Sequence, residues 1–218
     1  MAVMDPIKPA VLSVKMIPAV NKYYIEQLKL EPRERSIGMI TVNIDDCGYT
    51  AVDEATKFAD VRVVYAKSFY AGSNYPSGPL SGEFIGILAG TNPAEVRAGL
   101  NACIKCLEEE AWFYSANEDG SLAFYPHVIS RTGTYLSEQC NIPAGTPIAY
   151  LIAPPIEAVY AIDAAIKAAD VELKVFYAPP SETNYSGALL SGTQSACRAA
   201  AQAFRDAVLY VAQNALNF

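Results

Sequence analysis

The chain has 218 residues, of which 52% are hydrophobic and 18% charged, with 16 basic against 23 acidic side chains for a net charge of −7. That balance builds an ordinary core, far from the disordered class, and scattered positive charge at this level argues against a nucleic-acid partner. No apolar run approaches the ~18 residues a membrane helix needs and Met1 to Val14 lacks a secretory pattern, so the expectation is a cytosolic protein without a membrane partner.

In chain order, apolar residues on alternate positions predict a strand over 11–17, followed by a short helical stretch. A strand over 37–42 leads through the loop Asn43-Ile44-Asp45-Asp46-Cys47-Gly48-Tyr49 to an Ala-rich helix at about 51–59 and a β-branched strand at 61–65. A turn-rich segment containing Tyr70, Asn74 and Tyr75 precedes a strand from Glu83 to Ala89. Thr91-Asn92-Pro93 then opens a helix, since a capping side chain before proline is a strong start, and Val96, Leu100, Cys103 and Leu107 form one apolar face on it. The order then begins again. Strands are predicted at 122–129, 148–153 and 171–177, with helices at 157–169 and after Gly192.

An internal repeat explains the second round. Residues 51–61 and 161–171 share Ala51/Ala161, Asp53/Asp163, Ala55/Ala165, Lys57/Lys167, Ala59/Ala169, Asp60/Asp170 and Val61/Val171, seven identities in eleven positions. The same offset carries Asn74-Tyr75 onto Asn184-Tyr185, and Ile37 lies one residue out of register with Ile148. Two tandem domains of similar size, 1–112 and 113–218, follow, each an α/β (α+β) sandwich in which helices cover a mixed sheet.

Catalytic patterns are weak. Cys103-Ile104-Lys105-Cys106 has CxxC spacing but lies inside an amphipathic helix without a second pair for a metal, and His127 is the only histidine. The five cysteines, Cys47, Cys103, Cys106, Cys140 and Cys197, are read as reduced thiols. No phosphate-binding glycine loop and no nucleophile elbow occurs, so the chain is read as a non-enzyme. The repeat alone permits a structural assembly protein or a soluble sensor that encloses a small molecule.

The run Ser36-Ile37-Gly38-Met39-Ile40, leading to Asp53-Glu54-Ala55-Thr56-Lys57, resembles the opening of the bacterial microcompartment (BMC) domain, over Ser36 to Glu109, and the second half repeats it. The strand and helix before Ser36 stand where that family usually ends its domain, so both halves resemble the circularly permuted form. Asp45-Asp46, Ser130-Arg131-Thr132-Gly133, Ala153-Pro154-Pro155 and the run from Pro179 to Ser186 narrow the likeness to the tandem shell proteins of ethanolamine-utilisation compartments.

The resemblance implies a homotrimer whose six lobes form a pseudo-hexagonal tile with a gated pore, assembled with other shell proteins in a compartment inside the cytoplasm. It places ethanolamine in a pocket formed by Asp45, Glu83 and the backbone near Phe113, close to Tyr70, and sets Asp46, Thr183 and Asn184 as candidates for pocket or pore. A carboxylate pair suits a primary ammonium, which has three donors and no acceptor. Each of these residues also has a plainer reading: a capping acidic loop for Asp45-Asp46, a surface strand end for Glu83, core packing for Trp112-Phe113 and turn chemistry for Asn184. No cofactor is required; cobalamin is carried as a candidate bound ligand.

Overall fold

The computed structural model describes residues 1–69 and 80–217. Its elements in chain order are β1 (Pro6–Ile7), β2 (Val11–Ile17), α1 (Lys22–Gln27), β3 (Ser36–Val42), α2 (Asp45–Phe58), β4 (Val61–Ser68), β5 (Phe84–Gly90) and α3 (Pro93–Glu109). They continue as β6 (Phe113–Ser115), β7 (Ala123–Ile129), α4 (Thr134–Cys140), β8 (Ile148–Ala153), α5 (Pro155–Ala168), β9 (Val171–Tyr177), β10 (Ser186–Gly192) and α6 (Gln194–Gln213). Two compact units result. One comprises Pro9–Ala111 with Gly133–Leu136; the other comprises Met1–Lys8, Trp112–Thr132 and Ser137–Phe218.

The first unit holds a four-stranded sheet in the order β2-β3-β5-β4, and the second a six-stranded sheet in the order β1-β6-β7-β8-β10-β9. Strand-helix alternation predicts a mixed sheet, yet every pairing between neighbours is antiparallel. The reason is where the last strand of each repeat goes. Helix α2 carries the chain from β3 to β4, two strands of like direction, but β5 inserts between them and pairs antiparallel with both. Helix α5 connects β8 to β9 in the same way, with β10 between them.

The repeat extends further than the identities in 51–61. Ile17 opposes Ile37, and Ile129 opposes Ile148, so β2 corresponds to β7 at an offset of 112 residues. At that offset Tyr23, Glu26 and Gln27 of α1 are identical to Tyr135, Glu138 and Gln139 of α4. Lys29 and Asn141, just past each helix, both adopt φ of 51°. The backbone hydrogen bonds that close the two turns match as well, Leu30 N–H to Ile25 O and Ile142 N–H to Ser137 O, each 3.0 Å.

Helix α3 begins as its sequence predicts, with Asn92 Oδ1 accepting from Ala94 N–H at 2.9 Å and Glu95 N–H at 3.1 Å and Pro93 in the first turn. It lies against β3 at Gly38, where an added Cβ would fall 2.7 Å from Val96 Cγ1. In the six-stranded unit, α5 and α6 press Ala158, Ala161, Ala200 and Phe204 onto Phe124, Ala149 and Leu151. The opposite face of that sheet carries aromatic rings: Phe113 stacks on Tyr125 at 4.9 Å, and Tyr125 on His127 at 5.0 Å. All five cysteines are buried and none is in a disulfide, with Cys103 and Cys106 on the inner face of α3. Among the described residues no helix is long and apolar enough to cross a membrane.

Candidate functional site

At one end of the four-stranded sheet, β3 passes to α2 through Asn43 and Ile44. Asn43 Oδ1 accepts from Ala10 N–H at 2.6 Å, which fixes the turn to the start of β2. The sequence places Asp45 and Asp46 in a loop; they are instead the first two residues of α2, which runs from Asp45 to Phe58. Ile44 supplies no capping side chain, so the two carboxylates sit in the first turn, where the positive end of the helix dipole favours them. Gly48 reads as a turn residue but serves as a close-packing one: a Cβ there would lie 2.4 Å from the Phe84 ring, so its absence lets α2 rest directly on β5.

Glu83 reaches the same end of the sheet from the other side. Gly82, at φ +67°, leaves no room for a side chain against Val42 O, 2.3 Å from where its Cβ would be. Glu83 N–H then donates to Val42 O at 2.9 Å, and Phe69 N–H donates to Glu83 O at 2.8 Å, so Glu83 is clamped between the ends of β3 and β4. Its carboxyl is pushed up from 4.5 to about 7, first by partial burial and then by the negative charge of Asp45. Asp45 and Asp46 are themselves buried. Asp45 and Glu83 thus oppose each other in a partly desolvated corner, with Asp46 beside Asp45 in the first turn of α2.

Sequence reasoning misses two neighbours of this corner. Tyr49, one turn into α2, accepts through its hydroxyl from Ser68 N–H at 2.8 Å and Ser68 Oγ at 2.7 Å; its ring packs edge-on to Phe84 at 4.8 Å. Burial raises the Tyr49 hydroxyl pKa, and the bonds from Ser68 oppose that rise. Only the capping of a strand end by a helix side chain marks these two, and nothing in local sequence signals it. Tyr70 lies outside the described residues.

Asp53, further along α2, is fully buried. Its Oδ2 accepts from Gly133 N–H at 2.7 Å and its Oδ1 from Leu136 N–H at 2.8 Å, while Thr56 Oγ1 accepts from Thr134 N–H at 2.9 Å. Gly133 permits that approach, since a Cβ there would come within 2.1 Å of Thr56 Oγ1 and 2.4 Å of Asp53 O. A carboxylate from one segment therefore caps the first turn of α4. Asp163, its repeat partner, stays exposed and pairs with Lys167 at 2.6 Å.

The remaining candidates lie in the six-stranded unit. Phe113 is 5% exposed and packs its ring between Tyr125 and Tyr185, a core position. Beside it the Lys8 ammonium sits 3.9 Å over the Trp112 ring. Thr183 and Asn184 belong to a tight turn in which Asn184 N–H donates to Ser181 O at 3.1 Å and Ser181 N–H to Tyr185 O at 2.8 Å. Asn184 is exposed with φ of 66°, a left-handed conformation asparagine tolerates. Asp45 and Glu83 are thus brought together, with Asp46 next to Asp45 in α2, whereas Phe113, Thr183 and Asn184 belong to the other unit.

A groove of about 360 Å³ runs along α2 and α3, lined by Glu54, Phe58, Ala102, Lys105, Cys106 and Glu110, and includes none of the predicted residues. Among the described residues no group of three or more His, Cys, Asp or Glu side chains is arranged to hold a metal ion.

Residues 36–116, from β3 through β6, match the BMC domain. Over 214 residues, 98% of this chain and 99% of the relative, the sequence is 56% identical to the bacterial microcompartment shell protein EutL of Clostridium perfringens (strain 13 / Type A). The chain belongs to the EutL family of bacterial microcompartment shell proteins. The EutL of Escherichia coli (strain K12) is 51% identical over 217 residues, covering 100% of this chain and 99% of that one. A crystal structure of the ethanolamine utilization protein EutL from Leptotrichia buccalis C-1013-b superposes with a TM-score of 0.97 at 55% identity, covering 100% of both chains. Both relatives are named as bacterial microcompartment shell proteins. The expected likeness to tandem BMC shell proteins is borne out along the whole chain, and the duplicated strand order, β2-β3-β5-β4 and β7-β8-β10-β9, is its structural form.

Proposed function

We propose that three copies of this chain close into a pseudo-hexagonal tile in the shell of a cytoplasmic compartment that houses ethanolamine breakdown, beside other shell proteins. The observation that carries the reading is the duplicated sheet order: each chain supplies two equivalent lobes, so a six-lobed ring closes with three chains. Similarity to the ethanolamine utilization protein EutL of Leptotrichia buccalis supplies the metabolic setting. Purified protein should have the mass of three chains and form hexagonal sheets in negative stain when concentrated. A stable monomer or dimer that never tiles overturns the proposal.

Within each chain, the corner of Asp45, Asp46 and Glu83 binds ethanolamine through its ammonium group. Support comes from the half-buried Glu83 carboxyl, held near neutrality by burial and by Asp45: an incoming cation replaces a repulsion with charge-assisted hydrogen bonds. Calorimetric titration of ethanolamine into wild type, Asp45→Ala and Glu83→Ala tests it. Loss of binding in both variants with the trimer intact supports the pocket, and wild-type affinity in both rejects it. The Thr183-Asn184 turn, with Asn184 exposed, is proposed to border the pore, through which small molecules pass under gating; three copies of any loop near a three-fold axis become a ring. Cobalamin is proposed as a further ligand, tested by its visible spectrum on titration with concentrated protein; an unchanged spectrum rejects it.

A further inference from the structure

The duplication supplies an internal control for the acidic corner. Val42 opposes Phe84 at the end of β3, and Ala153 opposes Ser186 at the end of β8, so strand pairing aligns Glu83 with Tyr185. The preceding residues agree, since Gly82 at φ 67° and Asn184 at φ 66° make the same left-handed step. On the helix side, α2 begins at Asp45 and α5 at Pro155, which matches Asp46 with Ile156. The second repeat therefore builds the same corner from Pro155, Ile156 and Tyr185, without a carboxylate. The fold does not need the acids of the first.

Acids that the fold does not need are costly where they stand. Asp45 is 8% exposed and Glu83 half-buried, so each ionised carboxylate loses hydration, and ionising both adds the repulsion of like charges. A strand shift cannot separate the pair, because Glu83 N–H is tied to Val42 O and Glu83 O to Phe69 N–H. The positive end of α2 favours the charge on Asp45, which leaves Glu83 as the group that keeps a proton; its carboxyl stands at about 7.

The other groups around the pair do not change that division. On α2, Cys47 and Tyr49 are driven upward by burial and stay neutral, and the buried Asp46 acts on both of them. From β2 and β3 come Leu12, Val42 and Asn43, none of them charged, and Lys67 near the end of β4 is exposed. Asp45 is the charge that raises Glu83.

We propose that the Asp45–Glu83 pair is a proton-exchange site for primary ammonium ions, in which the unliganded pair holds one proton on Glu83 and the entering ammonium displaces it. This rests on the ethanolamine pocket proposed above and adds what leaves when the amine arrives. The O–H bond of Glu83 breaks, its proton passes to solvent, and the ammonium keeps its own three hydrogens as donors to the two carboxylates. The pair carries one net negative charge before and after, so the exchange buries no additional charge. An uncharged molecule of the same length brings nothing to replace the proton.

Calorimetric titration of ethanolamine into the full-length protein at pH 6, 7 and 8, in phosphate and in MOPS, tests the exchange, because the difference in heat between buffers counts the protons released. A primary alkylammonium stays charged over this range. The ionised fraction of a group at about 7 rises about tenfold from pH 6 to pH 8, so binding should tighten about tenfold. Proton release should fall from about one per site at pH 6 to about none at pH 8. Ethylene glycol should neither bind nor release protons. Glu83→Gln should bind ethanolamine equally at all three pH values, about tenfold more weakly than wild type at pH 8, with no proton released. Constant wild-type affinity without proton release, or a Glu83→Gln variant that still releases protons, overturns the exchange and leaves the pocket standing. No ethanolamine binding at any of these pH values overturns both.

Discussion

Replacing Glu83 by glutamine removes one negative charge beside Asp45 while preserving the size of the side chain and its backbone bonds to Val42 and Phe69. The folded chain holds the Glu83 proton up to about pH 7, against 4.5 for an ordinary glutamate. Because the folded pKa is the raised one, wild type is favoured below pH 4.5 and loses that advantage as pH climbs through 7. Glutamine never ionises, so the variant should match wild type near pH 4.5, gain on it between 4.5 and 7, and keep a constant lead above. After screening of this partly exposed group, the shift is worth about 1–2 kcal/mol. For a chain of this size that is a rise in Tm of about 3–6 °C at pH 8. Scanning calorimetry of both proteins at pH 5, 6, 7 and 8 at fixed ionic strength reads it directly. A Tm difference that is constant across that range, or a variant less stable at pH 8, refutes the reasoning.

The two repeat-related aspartates should respond oppositely to alanine: Asp53→Ala strands two buried N–H groups and should cost about 2–4 kcal/mol in urea unfolding, while Asp163→Ala, at an exposed ion pair, should change stability by less than about 0.5 kcal/mol. Gly48→Ala forces a methyl into the Phe84 ring and should cost about 1–3 kcal/mol, with altered aromatic circular dichroism as the local signature. Burial holds the Cys103 thiol up at about 12 and drives Cys47 and Cys106 upward too, so native protein at pH 8 should leave these three thiols unreactive toward Ellman's reagent, and all five should react in guanidinium.

Much of this fold is written locally. Asn92-Pro93 opens α3, alternation marks β2, and the seven identities over 51–61 expose the duplication. What stays hidden depends on distant packing. Asp45-Asp46-Cys47-Gly48 reads as a loop because aspartate and glycine favour turns, yet the dipole holds the first two in a helix and Gly48 is dictated by Phe84, thirty-six residues away. The antiparallel sheets follow from β5 and β10 inserting between strands that a helix connects, and local sequence carries no trace of that order. Asp53 and Asp163 are indistinguishable as letters in a repeat, and only the segment at Gly133–Leu136 separates them. The candidate pocket was legible through the family resemblance alone, since residues 45 and 83 meet only because β3 and β5 are neighbours.

The exchange of short segments has a consequence for how the chain comes into being. Met1–Lys8 is built into the unit formed by the later half, where Pro6 and Ile7 pair with Tyr114 and Phe113, and Gly133–Leu136 is built into the unit formed by the earlier half. During synthesis the first BMC lobe is therefore complete in length long before it is complete in structure: the buried charge of Asp53 waits for a segment made some eighty residues later. A chain released near residue 112 would carry an uncapped buried carboxylate at one place and an unpaired strand at another. Each lobe is thus finished only by a short segment from the other half of the chain.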